Sequence, residues 1–250
     1  MTCKLCGDRG LILKGEVAVP CGCLKQKTIE KLFKDSCLPK KLQDCTFERV
    51  NFRYYARDNI DPESGLSYYE MARLAFQAAQ NFVKGLLKNE QPDGLLFTGQ
   101  VGSGKTFLAC CIANDLLKKG KTVLFAVVPD LLDQIRATFD SVKTPDEVSE
   151  FDIVETARQV PLLILDDLGS HNYTEWTRNK IYSIVNYRLN HSLPVIVTTN
   201  IKLDDLEEYL GERTTSRLLE MCRSYRLMVE IDIRAVRREE KETRALDIKY

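Results

Sequence analysis

Between Gly94 and Leu117 the chain reads GLLFTGQVGSGKTFLACCIANDLL, and the reading of this stretch decides the fold. GLLFT is a short apolar run of strand length, and FLACCIANDLL is an apolar run of helical length. Between them lies GQVGSGKT, Gly99–Thr106. A chain places its most permissive backbone there when N–H groups must converge on an anion, because the angles required are cheap only for glycine. Gly99, Gly104, Lys105 and Thr106 fill the fixed positions of G-x-x-x-x-G-K-[ST]. The expected nucleotide contacts are Gly99, Gln100, Val101, Gly102, Ser103, Gly104, Lys105, Thr106 and Phe107. The helix that follows aims its positive end at the phosphates. Lys105 reaches the β/γ oxygens, and the Thr106 hydroxyl is offered to magnesium. A mere glycine-rich connector would not explain a strand before and a helix behind.

Working outward, strands and helices alternate. TVLFAVV, PLLILDD and PVIVTTN are further short buried strands, and RLMVEIDI (226–233) is expected to be the last. Near-continuous apolar runs alternating with helices indicate a parallel sheet covered on both faces. Upstream, Ser67 with Glu70 three residues later forms a capping box. It opens a helix with Ala72, Ala75, Phe76, Ala79, Phe82, Val83, Leu86 and Leu87 at helical spacing. A short amphipathic helix is expected from Leu24 to about Ser36, and CLPKKLQDCTFERVNF reads as a linker, since Pro39 cannot continue a helix. The expected division is a small module and linker helix over residues 1–45 and a main domain over 46–250.

Hydrolysis needs more than a cradle. LLILDDLG places Asp166 and Asp167 at the carboxyl end of a buried strand, where ligands sit in such sheets. Asp166 is read as the magnesium holder and Asp167 as the group that polarises the attacking water; adjacent carboxylates can also cap a helix. Asn200, ending PVIVTTN, is an uncharged amide suited to orient that water. In GERTTSRLLE, Arg213 and Arg217 are four apart on one helical face. They are either a solvated basic face or, with Arg217, an arginine finger entering a neighbour's site.

GQVGSGKT, LLILDDLG, TTN and RTTSRL, in that order, resemble an AAA+ ATPase. DDLG and VVPDLLDQIRATFD resemble the branch of DnaC/DnaI-type replicative helicase loaders and IstB-type transposition helpers. The resemblance covers about Thr46 to Arg237. It implies an α/β P-loop core without a full helical lid, in keeping with only 50 residues after Asn200. It also implies a sensor-2 arginine in DIRAVRR, Arg234 first and Arg237 second. Single-stranded DNA would be gripped inside a spiral of subunits near Arg136, Phe139 and Lys143, which read equally well as ordinary surface and core residues.

Cys3-x2-Cys6 and Cys21-x-Cys23 form two close thiol pairs with 14 residues between them. Four soft ligands suit tetrahedral zinc, with Gly7 and Gly22 in the knuckles letting N–H groups approach the sulfurs; four unliganded cysteines are the alternative. Some loaders of this type carry an N-terminal zinc module that contacts the helicase. Cys37, Cys45, Cys110, Cys111 and Cys222 are scattered, Cys110 and Cys111 suiting a helix core.

Composition bounds the rest. Lys and Arg number 36 against 36 Asp and Glu, so there is no global footprint for nucleic acid. Residues 1–50 hold 10 basic and 6 acidic side chains, so any DNA contact is a local stripe. His171 and His191 are the only histidines and are expected in surface or packing roles. No apolar run is long enough to span a membrane, and no signal-peptide stretch opens the chain, so the cytoplasm is expected. The leading functional expectation is an ATPase, using ATP, Mg2+ and Zn2+, that self-assembles with ATP, binds single-stranded DNA and delivers a DnaB-type hexameric helicase during replication. The alternatives are an IstB-type transposition helper and a zinc-ribbon adaptor with ATP as a structural ligand.

Overall fold

A computed structural model describes residues 3–4, 6–7, 9–14, 17–33, 42, 44–140, 148–170 and 173–247. Cys37, Pro39, Lys143 and His171 lie outside the described residues, as do Ser36 and most of the linker's first half.

Five strands form one parallel sheet: β3 (Gly94–Gly99), β4 (Val123–Val127), β5 (Leu162–Asp166), β6 (Val195–Thr198) and β7 (Cys222–Leu227). Their order is β4-β5-β6-β3-β7, and all four pairings are parallel. The alternating side chains of each strand feed two cores. Leu96, Leu124, Leu163 and Val197 pack against α4 (Val128–Asp140), α5 (Glu150–Gln159), α6 (Glu175–Asn190), α7 (Leu206–Leu210) and α8 (Glu212–Met221). Leu95, Phe97, Phe125, Ile164 and Ile196 pack against α2 (Tyr68–Leu87) and α3 (Lys105–Lys118). Both faces are thus covered, as the apolar strand sequences require.

Local signals behave as read. The Ser67–Glu70 capping box opens α2, and a second, Ser149–Asp152, opens α5. Cys110 and Cys111 are fully enclosed in α3. The last strand differs: β7 is Cys222–Leu227, not 226–233. Its position is set by pairing with β3, in which Cys222 faces Gly94 and Leu227 faces Gly99. Beyond Leu227 the neighbour is the phosphate loop, so Met228 and Val229 are buried without forming strand. As an edge strand, β7 tolerates the polar CRSYRL sequence that hid it.

The N-terminal segment forms a hairpin, β1 (Leu11–Lys14) and β2 (Val17–Pro20), followed by α1 (Gly22–Leu32). α1 lies along the other sheet edge. Ile29 and Phe33 enter the main core, and Gln26 Oε1 accepts the Val123 N–H of β4 at 3.0 Å. Leu24, the first residue of the expected amphipathic helix, is 51% exposed. Asn114 of α3 donates to the Leu42 and Cys45 carbonyls, both at 2.9 Å, and ties the linker to the helix behind the loop.

Arg188, in the last turn of α6, is wholly buried. Its Nη1 donates to the carbonyls of Ala157, Arg158 and Val160, and Nη2 to Pro161 and Pro194. It thereby closes the end of α5 and the entries to β5 and β6. Burial pushes its guanidinium down to about 9. Among the described residues a single helix, α9 (Ile233–Asp247), follows β7.

Candidate nucleotide and metal sites

The loop after β3 uses its glycines where the backbone demands them. Gly99, Gly102 and Gly104 have φ of +125°, +73° and +97°, a region costly for other residues. At Gly99 a Cβ would meet the Leu227 carbonyl oxygen at 2.0 Å, and at Gly104 the Tyr55 hydroxyl at 2.8 Å. α3 begins at Lys105 immediately after Gly104, so its unpaired N–H groups face the loop. Lys105 is 6% exposed, and its Nζ donates to the carbonyls of Gly99 at 2.8 Å and Gln100 at 2.6 Å. Burial pushes this ammonium down to about 8, against the opposing pull of Asp167 and Asp166.

Because β6 lies between β3 and β5, the residues ending β6 fall between the loop and the paired aspartates. Asp166 is 5% exposed. Its Oδ1 accepts Thr198 Oγ1 at 2.6 Å. Burial raises its carboxyl, while the Thr198 and Thr106 hydroxyls hold it down. Thr106 and Asp166, the two expected magnesium holders, are therefore neighbours. Asp167 turns the chain with φ of +60°, an uncommon angle for a side-chain-bearing residue and one that clusters at functional sites. Its N–H donates to Thr198 Oγ1 at 3.0 Å, and its Oδ1 accepts Asn200 Nδ2 at 3.1 Å. At Gly169, which ends DDLG, a Cβ would lie 2.1 Å from Ile201 Cδ1, so the motif's glycine lets the turn pack on the chain after Asn200. Lys105, Thr106, Asp166, Asp167 and Asn200 thus share one end of the sheet. The donor set fits a hard divalent cation beside a triphosphate.

Three participants escaped the sequence reading. Thr198 links both aspartates and was visible only as the residue two before Asn200. Tyr55 donates to the Ser103 carbonyl at 2.9 Å, its phenol pushed up to about 12 by burial; a tyrosine outside any motif carries no signal. Asp232 lies against Gly102. Arg234 is exposed, yet its charge bears on Lys105; that of Arg237 bears on Cys45.

Arg217 stands apart from this cluster. Its Nε donates to Asn186 Oδ1 at 2.7 Å, its Nη1 to the Arg213 carbonyl at 3.2 Å, and its guanidinium lies 4.8 Å from the Tyr182 ring centroid. Arg136 is exposed, paired with Asp133 and set over Trp176; the side chain of Phe139 is outside the described residues. His191 stacks on Tyr187 with centroids 3.9 Å apart, a packing role.

The four N-terminal cysteines converge, their sulfurs all within 4.8 Å of one another. Cys3 Sγ lies 3.8 Å from Cys21 Sγ, and Cys6 Sγ lies 3.3 Å from Cys23 Sγ. A tetrahedron with Zn–S of about 2.3 Å has edges of about 3.8 Å, so the cluster fits zinc. An amide reaches sulfur at Gly10, which donates to Cys6 Sγ at 3.4 Å, and the Cys23 N–H bears on the Cys21 thiol, whereas the Gly7 N–H goes to the Cys3 carbonyl. Burial opposes a Cys6 thiolate, but bonds from Cys23 and Gly10 outweigh it and hold that thiol at about 7.

Residues 68–244 match the family model described as IstB-like ATP binding protein. The chain belongs to that family. The chain is similar to YqaM of Bacillus subtilis (strain 168), which is 28% identical over 92% of this chain and 69% of its own length. The replicative helicase loader DnaC of Escherichia coli (strain K12) is 29% identical over 66% of this chain and 68% of its own. A crystal structure of the DnaC helicase loader superposes with a TM-score of 0.59 at 27% identity, covering 76% of this chain and all of that one. An IstB-like, AAA+ ATP-binding core of DnaC-like fold is thereby established. Among the described residues no helix is long and apolar enough to cross a membrane.

Proposed function

We propose that this IstB-like protein is an ATPase that loads a DnaB-type hexameric helicase onto single-stranded DNA. The observation that carries the reading is the meeting of Lys105, Thr106, Asp166, Asp167 and Asn200 at one sheet end, in a chain similar to a named helicase loader.

The loop amides from Gly99 to Phe107 and Lys105 bind the phosphates. Thr106 and Asp166 would hold magnesium, which when bound would neutralise phosphate charge. Asp167 accepts a proton from, or polarises, the attacking water, and Asn200 fixes Asp167 and the water in line with the γ-phosphate. Arg234 senses the γ-phosphate from the start of α9. Arg217, outside its own site, serves a neighbouring subunit, so ATP builds the oligomer and hydrolysis dissolves it. Zinc on Cys3, Cys6, Cys21 and Cys23 orders the hairpin of the 1–45 module, which holds the helicase, while residues 46–250 supply ATP and DNA binding.

The test is loading of a purified DnaB-type helicase onto closed single-stranded circles, with and without this protein and ATP. Stimulation that requires ATP supports the reading. A second reading, a transposition helper, is favoured by the family match itself; no stimulation of loading, with ATP-dependent retention of a transposase on target DNA, would establish it instead.

A further inference from the structure

α9 starts on the phosphate loop. The Ile233 N–H donates to the Gly102 carbonyl at 3.2 Å, and Asp232 turns its carboxylate onto the same glycine. A Cβ built on Gly102 would lie 2.0 Å from Asp232 Cγ and Oδ1 and 2.5 Å from Oδ2. The carboxylate therefore fills the space that any other residue at position 102 would need for its side chain.

Asp232 has one structural duty. Its Oδ1 accepts the Arg234 N–H at 2.7 Å and caps the first turn of α9. That duty needs an oxygen and no charge, for asparagine caps as well as aspartate. Among the described residues no lysine or arginine forms an ion pair with Asp232. Its charge is felt instead at Lys105, where with Asp167 and Asp166 it favours the ammonium. A loop whose amides and lysine suit an anion thus carries an unpaired carboxylate at its rim.

We propose that Asp232 is an electrostatic gate on the phosphate loop, weakening the seat for a nucleoside triphosphate and coupling phosphate entry to movement of the first turn of α9. The proposal rests on the reading of this loop as the ATP seat. A triphosphate brings several negative charges well within a Debye length of the carboxylate. Asp232 must then turn away from Gly102 or be neutralised by Arg234, two residues along the same turn. α9 carries that movement elsewhere. Its Glu240 accepts Arg53 Nη2 at 2.5 Å and Tyr54 Oη at 3.4 Å, and the next residue, Tyr55, is bonded to the loop at Ser103. The helix start and the 53–55 segment therefore respond to the loop together.

The experiment titrates a fluorescent ATP analogue into the full-length protein, wild type and Asp232→Asn, at low and high salt, with thermal melting alongside. Asn keeps the cap and removes the charge. The expected result is a Kd about ten-fold lower in Asp232→Asn at roughly 0.05 M salt, shrinking to about three-fold or less near 0.5 M as screening grows, with an unchanged melting temperature. Asp232→Ala, which also loses the cap, should melt lower and still bind more tightly than wild type. Equal or weaker binding by Asp232→Asn at unchanged melting temperature overturns the gate, as does a tightening insensitive to salt. Absence of binding by the wild type is a different failure, that of the ATP seat itself.

Discussion

Asn200 Nδ2 donates to Asp167 Oδ1 at 3.1 Å, joining the end of one strand to the turn after its neighbour across 33 positions of sequence. The amide holds the carboxylate without competing with it for a proton. Asn200→Ala should leave ATP affinity within about two-fold of wild type and lower kcat on the order of a hundred-fold, the range for a lost polar group aimed at a transition state. Steady-state phosphate release and nucleotide titration together decide it. A change confined to affinity would remove Asn200 from the chemistry.

Lys105 ties ATP binding to pH. Its ordinary value is 10.5, and burial brings it to about 8 in the folded chain. Between these values the unfolded chain binds more protons, so this group's contribution to stability rises with pH there. Bound phosphates favour the ammonium, so ATP binding takes up a proton above about pH 8 and affinity falls as pH rises further. Calorimetric titration in two buffers of different ionisation enthalpy should give almost no uptake at pH 7 and a substantial fraction of one proton near pH 9. Lys105→Ala should abolish both binding and uptake.

The cysteine cluster should bind one zinc per chain. Metal analysis of purified protein checks the stoichiometry, and Cys21→Ser should reduce it to a small fraction. Zinc removal should weaken capture of the helicase and leave ATP affinity near wild type, because neither the loop nor the aspartates touch the cluster. Full helicase capture by metal-free protein would contradict the role given to the module.

Arg217 packs on Tyr182 and Asn186 of its own α6, clear of its own nucleotide loop. A finger supplied in trans is worth about 10³–10⁵ in rate. Arg217→Ala and Lys105→Ala should each be nearly inactive, and mixing them should restore some hydrolysis. Mixtures that co-assemble and stay inactive would assign Arg217 a packing role only.

Arg188 should be a stability residue. Arg188→Leu takes the guanidinium donors from carbonyls at the end of α5 and before β5 and β6, at a cost of about 3 kcal/mol or more. Urea unfolding at pH 7 measures it; a loss below about 1 kcal/mol would mean that other donors replace the guanidinium.

The glycine loop, the paired aspartates, Asn200 and the parallel α/β character were all legible in the sequence, because each depends on local backbone chemistry or on apolar runs that need no partner to be read. The four-cysteine cluster was legible for the same reason, since ligand spacing is local. Strand order was not. Only the assembled sheet inserts β6 between β3 and β5, and that placement brings Thr198 onto both aspartates. The β7 boundary depends on pairing with β3, since an edge strand of mixed polarity carries little signal of its own. Tyr55 and Asp232 reach the loop from 48 residues before Ser103 and 130 after Gly102. α1 joins the main core through Ile29 and Phe33, a docking decided by the uncovered edge of β4. Local chemistry names the parts of the site, and long-range pairing, in which residues distant in sequence satisfy one another's buried groups, decides which parts meet.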